Sequence, residues 1–133
     1  MRPGRGLRSR SSPAPDRASV VLLNKPYGVL CQFTPQPGRQ TLAGFIDLPG
    51  VYPAGRLDAD SEGLLLLTDD GELTQRLTHP SYQVEKEYRA LLNDAPSSDA
   101  LREWRNGVLL DDARTAPAWV DVLERTDEGV WVR

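Results

Sequence analysis

Thiols and imidazoles are almost missing from this chain of 133 residues: Cys31 is its one cysteine and His79 its one histidine. A lone cysteine closes no internal disulfide, and beside Leu30 it reads as a small buried apolar residue. One Cys and one His exclude a cluster of thiolates and imidazoles around a metal, and exclude a Ser-His-Asp hydrolase unless His79 is its base. Long apolar runs are lacking too. No stretch approaches membrane-spanning length, and the start, rich in Arg, Ser, Pro and Gly, has no apolar centre of the kind a secretory leader needs. The sequence therefore predicts a cytoplasmic protein with no membrane partner.

Positive charge is scarce outside the first residues. Residues 1–17 hold Arg2, Arg5, Arg8, Arg10 and Arg17 against Asp16, a sum of +4, which leaves −7 for the rest of a chain whose formal net charge is −3. With hardly anything to bury, that segment reads as a disordered basic tail, and residues 18–133 as the folded domain. An acidic body behind a basic tail is not the usual electrostatic footprint of a nucleic-acid-binding protein.

What is present is a succession of short apolar segments punctuated by turn residues. Val20-Val21-Leu22-Leu23 reads as a buried strand that ends in the turn Asn24-Lys25-Pro26-Tyr27-Gly28. Thr41 to Ile46 suits a short helix capped by the threonine and ended by Pro49-Gly50. Leu64 to Leu67, bounded by Gly63 and Thr68-Asp69-Asp70-Gly71, fits a central strand buried on both faces. Asp69 or Asp70 then caps a helix over Glu72 to Leu77. Val84 to Leu92 reads as a strand entering the core, and Ser97 or Ser98 caps a helix from Asp99 to Arg105 that closes at Asn106-Gly107, with Leu101 and Trp104 inward. Val108 to Leu110, Trp119 to Leu123 and Val130 to Val132 are further short strands. Strands with a few interspersed helices and no regular βαβ alternation predict an α+β fold, with a mixed, mainly antiparallel sheet flanked by helices.

Function concentrates in Gly55-Arg56-Leu57-Asp58-Ala59-Asp60-Ser61-Glu62-Gly63, just before the leucine strand. A polar loop mounted on a buried strand has a fixed exit point and a free face, which suits chemistry. The residues alone leave three readings open. One is a tight loop with solvated carboxylates. Another is a calcium loop, since Asp58, Asp60, Glu62, Gly63 and Asp69 fall on the first, third, fifth, sixth and twelfth positions of an EF-hand-like template. Pro53 and Gly55 oppose the entering helix which that template needs. The third is a catalytic carboxylate at Asp58.

The ordered set Lys25-Pro26-x-Gly28-Val29, Gly55-Arg56-Leu57-Asp58-x-x-Ser61-x-Gly63-Leu64-Leu65-Leu66-Leu67-Thr68-x-Asp70-Gly71 and Lys86-x-Tyr88 closely resembles the RsuA-type pseudouridine synthases, over a match from about Val20 onward. The resemblance implies the pseudouridine synthase catalytic fold and isomerisation of a uridine in large-subunit, 23S-type ribosomal RNA. That RNA is the implied partner, without an obligate protein partner. Substrate and product contain the same atoms, so no cofactor is implied. Asp58 matches the family's catalytic aspartate and Tyr88 its active-site tyrosine, while Arg56 is the implied residue for gripping or replacing the extruded nucleotide. Lys25 is implied mainly as a support of its turn, with phosphate contact as a second role. Each role is chemically apt. A carboxylate stabilises or traps positive character on a sugar, an aromatic face holds a base that must rotate, and a planar guanidinium binds phosphate or fills a stack. The rival function is a noncatalytic RNA-binding or ribosome-assembly module on the same fold.

The chain departs from the family in two ways. Nothing before Val20 matches an S4-type RNA-binding domain, and nothing matches the Gly-Arg-Asn-Arg-Gln-Val-Arg-Arg type segment that family members carry towards their C-terminus. The expectation is an N-terminal portion of the catalytic domain, with Asp58 lacking its usual counter-ion and with weak or no activity on its own.

Overall fold

The computed structural model describes residues 18–133; the basic tail expected over residues 1–17 lies outside them. The described chain divides into two units, one running to Val84 and the other spanning Glu85–Arg133. Every pairing between its strands is antiparallel, in two three-stranded sheets and one two-stranded hairpin.

In the first unit β1 (Val20–Lys25) and β2 (Tyr52–Pro53) flank β3 (Gly63–Thr68). The β1–β3 register runs from Val20 opposite Thr68 to Lys25 opposite Gly63. Pleating sends alternate side chains to opposite faces. Val21, Leu23, Leu65 and Leu67 therefore join Val29, Leu42 and Val51 in one core, with Phe33, Ile46 and Leu57 packed at its edge. The other face is open: Leu22 and Leu64 are 67% and 69% exposed. This corrects the expectation of strands buried on both faces. A run of leucines has no polar alternation to reveal which face is covered, and an antiparallel sheet with one packed face is a stable arrangement.

Helix α1 (Gly71–Thr78) is capped by Asp70, whose carboxylate accepts from the N–H groups of Glu72 and Leu73 at 2.9 and 3.1 Å. Asp69 has a different role and accepts from the Ser19 N–H at 2.8 Å. Thr41 precedes only a 3-10 turn, Leu42–Gly44, and makes no side-chain cap bond.

In the second unit β8 (Gly129–Val132) is central between β4 (Ala90–Leu92) and β7 (Val122–Thr126). The strand expected from Val84 thus begins only at Ala90. Its partner β8 supplies pairing residues from Gly129 to Val132, and Ala90 faces Val132. The strand expected from Trp119 likewise begins at Val122. Helix α2 (Ser98–Asn106) is capped by the Ser97 hydroxyl, which accepts from the Ala100 N–H at 3.1 Å. A hairpin follows, β5 (Leu109–Leu110) with β6 (Ala113–Arg114), turning through Asp111 at φ 49°.

Candidate active site

The loop between β2 and β3 is tied down along its length. Ala54 donates its N–H to the Leu66 carbonyl at 2.7 Å. Gly55 sits at φ 103°, where a Cβ would be strained and would stand 3.7 Å from Thr78 Cγ2 at the end of α1. Leu57 packs against the core. Asp58 opens a β-turn in which its carbonyl accepts from the Ser61 N–H at 3.1 Å, and the Ala59 carbonyl accepts from the Gly28 N–H at 2.6 Å. The backbone on both sides of Asp58 is therefore fixed, while its carboxylate is exposed to solvent. Among the described residues no hydrogen bond or ion pair engages the side chains of Asp58 or Arg56. Arg56 is exposed on the same loop and is not paired with Asp60 or Glu62.

Lys25 is placed otherwise than a phosphate ligand requires. Its side chain is 0% exposed, and Nζ donates to the carbonyls of Pro26 and Val29 at 3.0 and 2.9 Å. A buried ammonium already committed to two carbonyls presents no accessible charge to solvent, which weighs against phosphate contact and favours support of the turn.

Tyr88 belongs to the second unit and precedes β4 instead of lying in it. Its ring is 60% exposed and borders a hollow of about 950 Å³ shared with Trp104, Trp119, Lys86, Asp121 and Arg133. Asp121 and Arg133 exchange backbone hydrogen bonds at 2.9 and 3.0 Å and form a side-chain ion pair at 3.0 Å. The hydrogen bond that Arg133 donates to the Asp121 carboxylate, with the charges of Glu87 and Asp121, holds the Arg133 guanidinium above its ordinary range. Arg105 donates twice to the Val120 carbonyl, at 2.6 and 3.1 Å, and leaves neighbouring Trp119 92% exposed. Neither Trp119 nor the Gly28 to Ala59 bond was evident from sequence. A strand reading hid the first, and a backbone contact across 31 positions has no compositional signal.

The calcium reading fails on context, because the Asp58 loop lies between two strands and not between helices. Among the described residues no grouping of three or more His, Cys, Asp or Glu is placed to hold a metal ion, and no helix is long and apolar enough to cross a membrane.

A mounted carboxylate on an antiparallel α+β scaffold defines a class that comparison with known proteins makes definite. Residues 19–131 match the model of the RNA pseudouridylate synthase family, and the chain belongs to that family, in agreement with the RsuA-type resemblance of its motifs. It is 51% identical over 116 residues to a ribosomal large subunit pseudouridine synthase E of Xanthomonas axonopodis pv. citri, covering 86% of this chain and 60% of the relative. It is 43% identical over 125 residues to the protein of that name from Vibrio vulnificus, covering 94% of this chain and 53% of the relative. A crystal structure of a pseudouridylate synthase superposes with a TM-score of 0.73 at 33% identity, over 87% of this chain and 50% of the other. The chain thus spans a little over half the length of these two relatives.

Proposed function

We propose that the protein represented by this chain converts a uridine of large-subunit ribosomal RNA to pseudouridine in the cytoplasm. The reaction breaks the bond between base N1 and the ribose carbon C1′ and forms a bond from C5 to the same carbon; C5 loses a proton and N1 gains one, so atoms balance without a redox or energy cofactor. Asp58 is assigned the sugar chemistry, where an anionic oxygen stabilises or captures the electron-deficient C1′. Tyr88 is assigned the base-holding role, for which an exposed ring serves without locking one in-plane orientation. Arg56 grips the backbone of the extruded nucleotide or fills its place in the stack.

The observation that carries this reading is the Asp58 carboxylate, free of side-chain partners on a backbone immobilised immediately before and after it. That is the arrangement a nucleophile or electrostatic stabiliser requires, since catalytic groups must be held in place before substrate arrives. The large-subunit assignment rests on the names of these two relatives. The test is Asp58→Asn in the full-length protein, with pseudouridine mapped in ribosomal RNA from cells lacking the gene and rescued by each version. Loss of one modified position with RNA affinity retained is the expected result. An unchanged map would remove the catalytic assignment and leave the noncatalytic RNA-binding module.

A further inference from the structure

Burying an ammonium group is costly unless hydrogen bonds replace its water. Lys25 is fully buried, and among the described residues no carboxylate lies within ion-pair distance of it. Its compensation comes from the Pro26 and Val29 carbonyls, at 3.0 and 2.9 Å. These carbonyls flank Gly28, and charge-assisted bonds to both draw the intervening turn closed. Gly28 stands between them at φ 84°, a conformation open to glycine, and its N–H reaches the Ala59 carbonyl at 2.6 Å. The backbone of Lys25 pairs with Gly63, the first residue of β3, at the other end of the Asp58 loop. One residue thus governs a contact just beyond Asp58 and the point where its loop re-enters the sheet.

We propose that Lys25 is a positioning residue for Asp58. Its ammonium sets the direction of the Gly28 N–H, and that N–H in turn sets where the Asp58 to Ser61 turn presents its carboxylate. The inference rests on the catalytic reading of Asp58, but it concerns a separate physical link, from a buried cation through two carbonyls and one backbone amide to the loop. Lys25 touches no substrate in this scheme. Its removal therefore changes how well the carboxylate is aimed, not how tightly RNA binds.

The test uses Lys25→Met and Gly28→Ala in the full-length protein, with ribosomal RNA from cells lacking the gene as substrate. Lys25→Met keeps the length of the side chain and removes its donors. In Gly28→Ala the added Cβ meets nothing within 4 Å, so packing is untouched and the strain is confined to the positive φ. Both variants are expected to lower kcat about tenfold or more with KM within about twofold, the signature of a misaimed group and not of lost binding. Amide exchange is expected to quicken about tenfold at Gly28 while the amides of β3 keep their protection. Unchanged kcat in Gly28→Ala, or unchanged Gly28 exchange in Lys25→Met, would overturn the proposal; if Lys25→Met does not fold, Gly28→Ala decides alone. Asp58→Asn is run beside them. Should it turn over like the parent, the catalytic assignment falls, and the amide readout by itself decides whether Lys25 holds the loop.

Discussion

In the first unit Val29, Leu42, Val51, Leu65 and Leu67 are each no more than 4% exposed and touch one another, whereas the buried apolar side chains of the second unit are Val120, Val130 and Val132. Strand β7 of the second unit is exposed at every residue. What holds that unit is largely backbone: two ladders on β8, the doubled Asp121 to Arg133 bonds, and the Arg105 grip on the Val120 carbonyl. Apolar burial stabilises by tens of calories per square ångström, while a hydrogen bond with access to water contributes little net. The contrast teaches where each job sits. In the proposed mechanism the carboxylate assigned to the sugar, Asp58, is mounted on the densely packed unit, and the ring assigned to the base, Tyr88, belongs to the sparsely packed one.

The largest break in that comparison should come from Leu67→Ala. Leu67 is fully buried in the first core, and truncation there should cost about 2–5 kcal/mol, read from denaturant unfolding. Val132→Ala should cost less, because two carbons leave instead of three and Val132, though buried, borders the hollow beside Tyr88. Equal losses would show that the units are packed alike.

Gly129→Ala attacks the second unit where its backbone approaches most closely. A Cβ at Gly129 would lie 2.2 Å from the Leu92 carbonyl oxygen, at φ 149°, so β4 and β8 could not keep their present separation. Overpacking of this kind costs about 1–3 kcal/mol. Faster amide exchange is expected along β4 and β8, with the β1 to β3 amides unaffected; a uniform loss across both units would instead show that they open together.

How far the sequence could be read follows the same division. In the first unit the leucine strand, the Asp70 cap and the Asp58 loop were legible because each has a local cause: a bounded apolar run, an acceptor before a helix, and polar residues ahead of a strand. In the second, the apolar spacing puts Tyr88 and Trp119 in strands, yet those strands begin two and three residues later, at Ala90 and Val122. There pairing is set by what β8 has to offer, and no property of the segment itself records that. Lys25 shows the same limit at a single residue. The motif implies that it supports its turn, but neither its burial nor the convergence of the Pro26 and Val29 carbonyls on its ammonium has a signal in the sequence.

Smaller changes sharpen the contrast at the helices. Asp70→Ala removes the acceptor of two N–H groups at the start of α1 and should cost about 1 kcal/mol. Ser97→Ala removes one such bond from α2 and should cost less. Reversal of that order would mean that packing, and not capping, sets the stability of these helices.

The smallest effect is expected at the Arg76–Glu72 pair on α1. The two side chains meet at 2.6 Å, four residues apart, but are 61% and 72% exposed. Glutamate on the N-terminal side is the favourable order, since it also places each charge at the matching end of the helix dipole. Water and ions screen most of the attraction, so Arg76→Ala should cost only about 0.2–0.5 kcal/mol. Part of that loss should disappear as salt is raised towards 1 M, where the Debye length is about 3 Å. A larger or salt-independent loss would assign Arg76 a packing role through its aliphatic stem, and would extend the well-packed region of the first unit onto the outer face of α1.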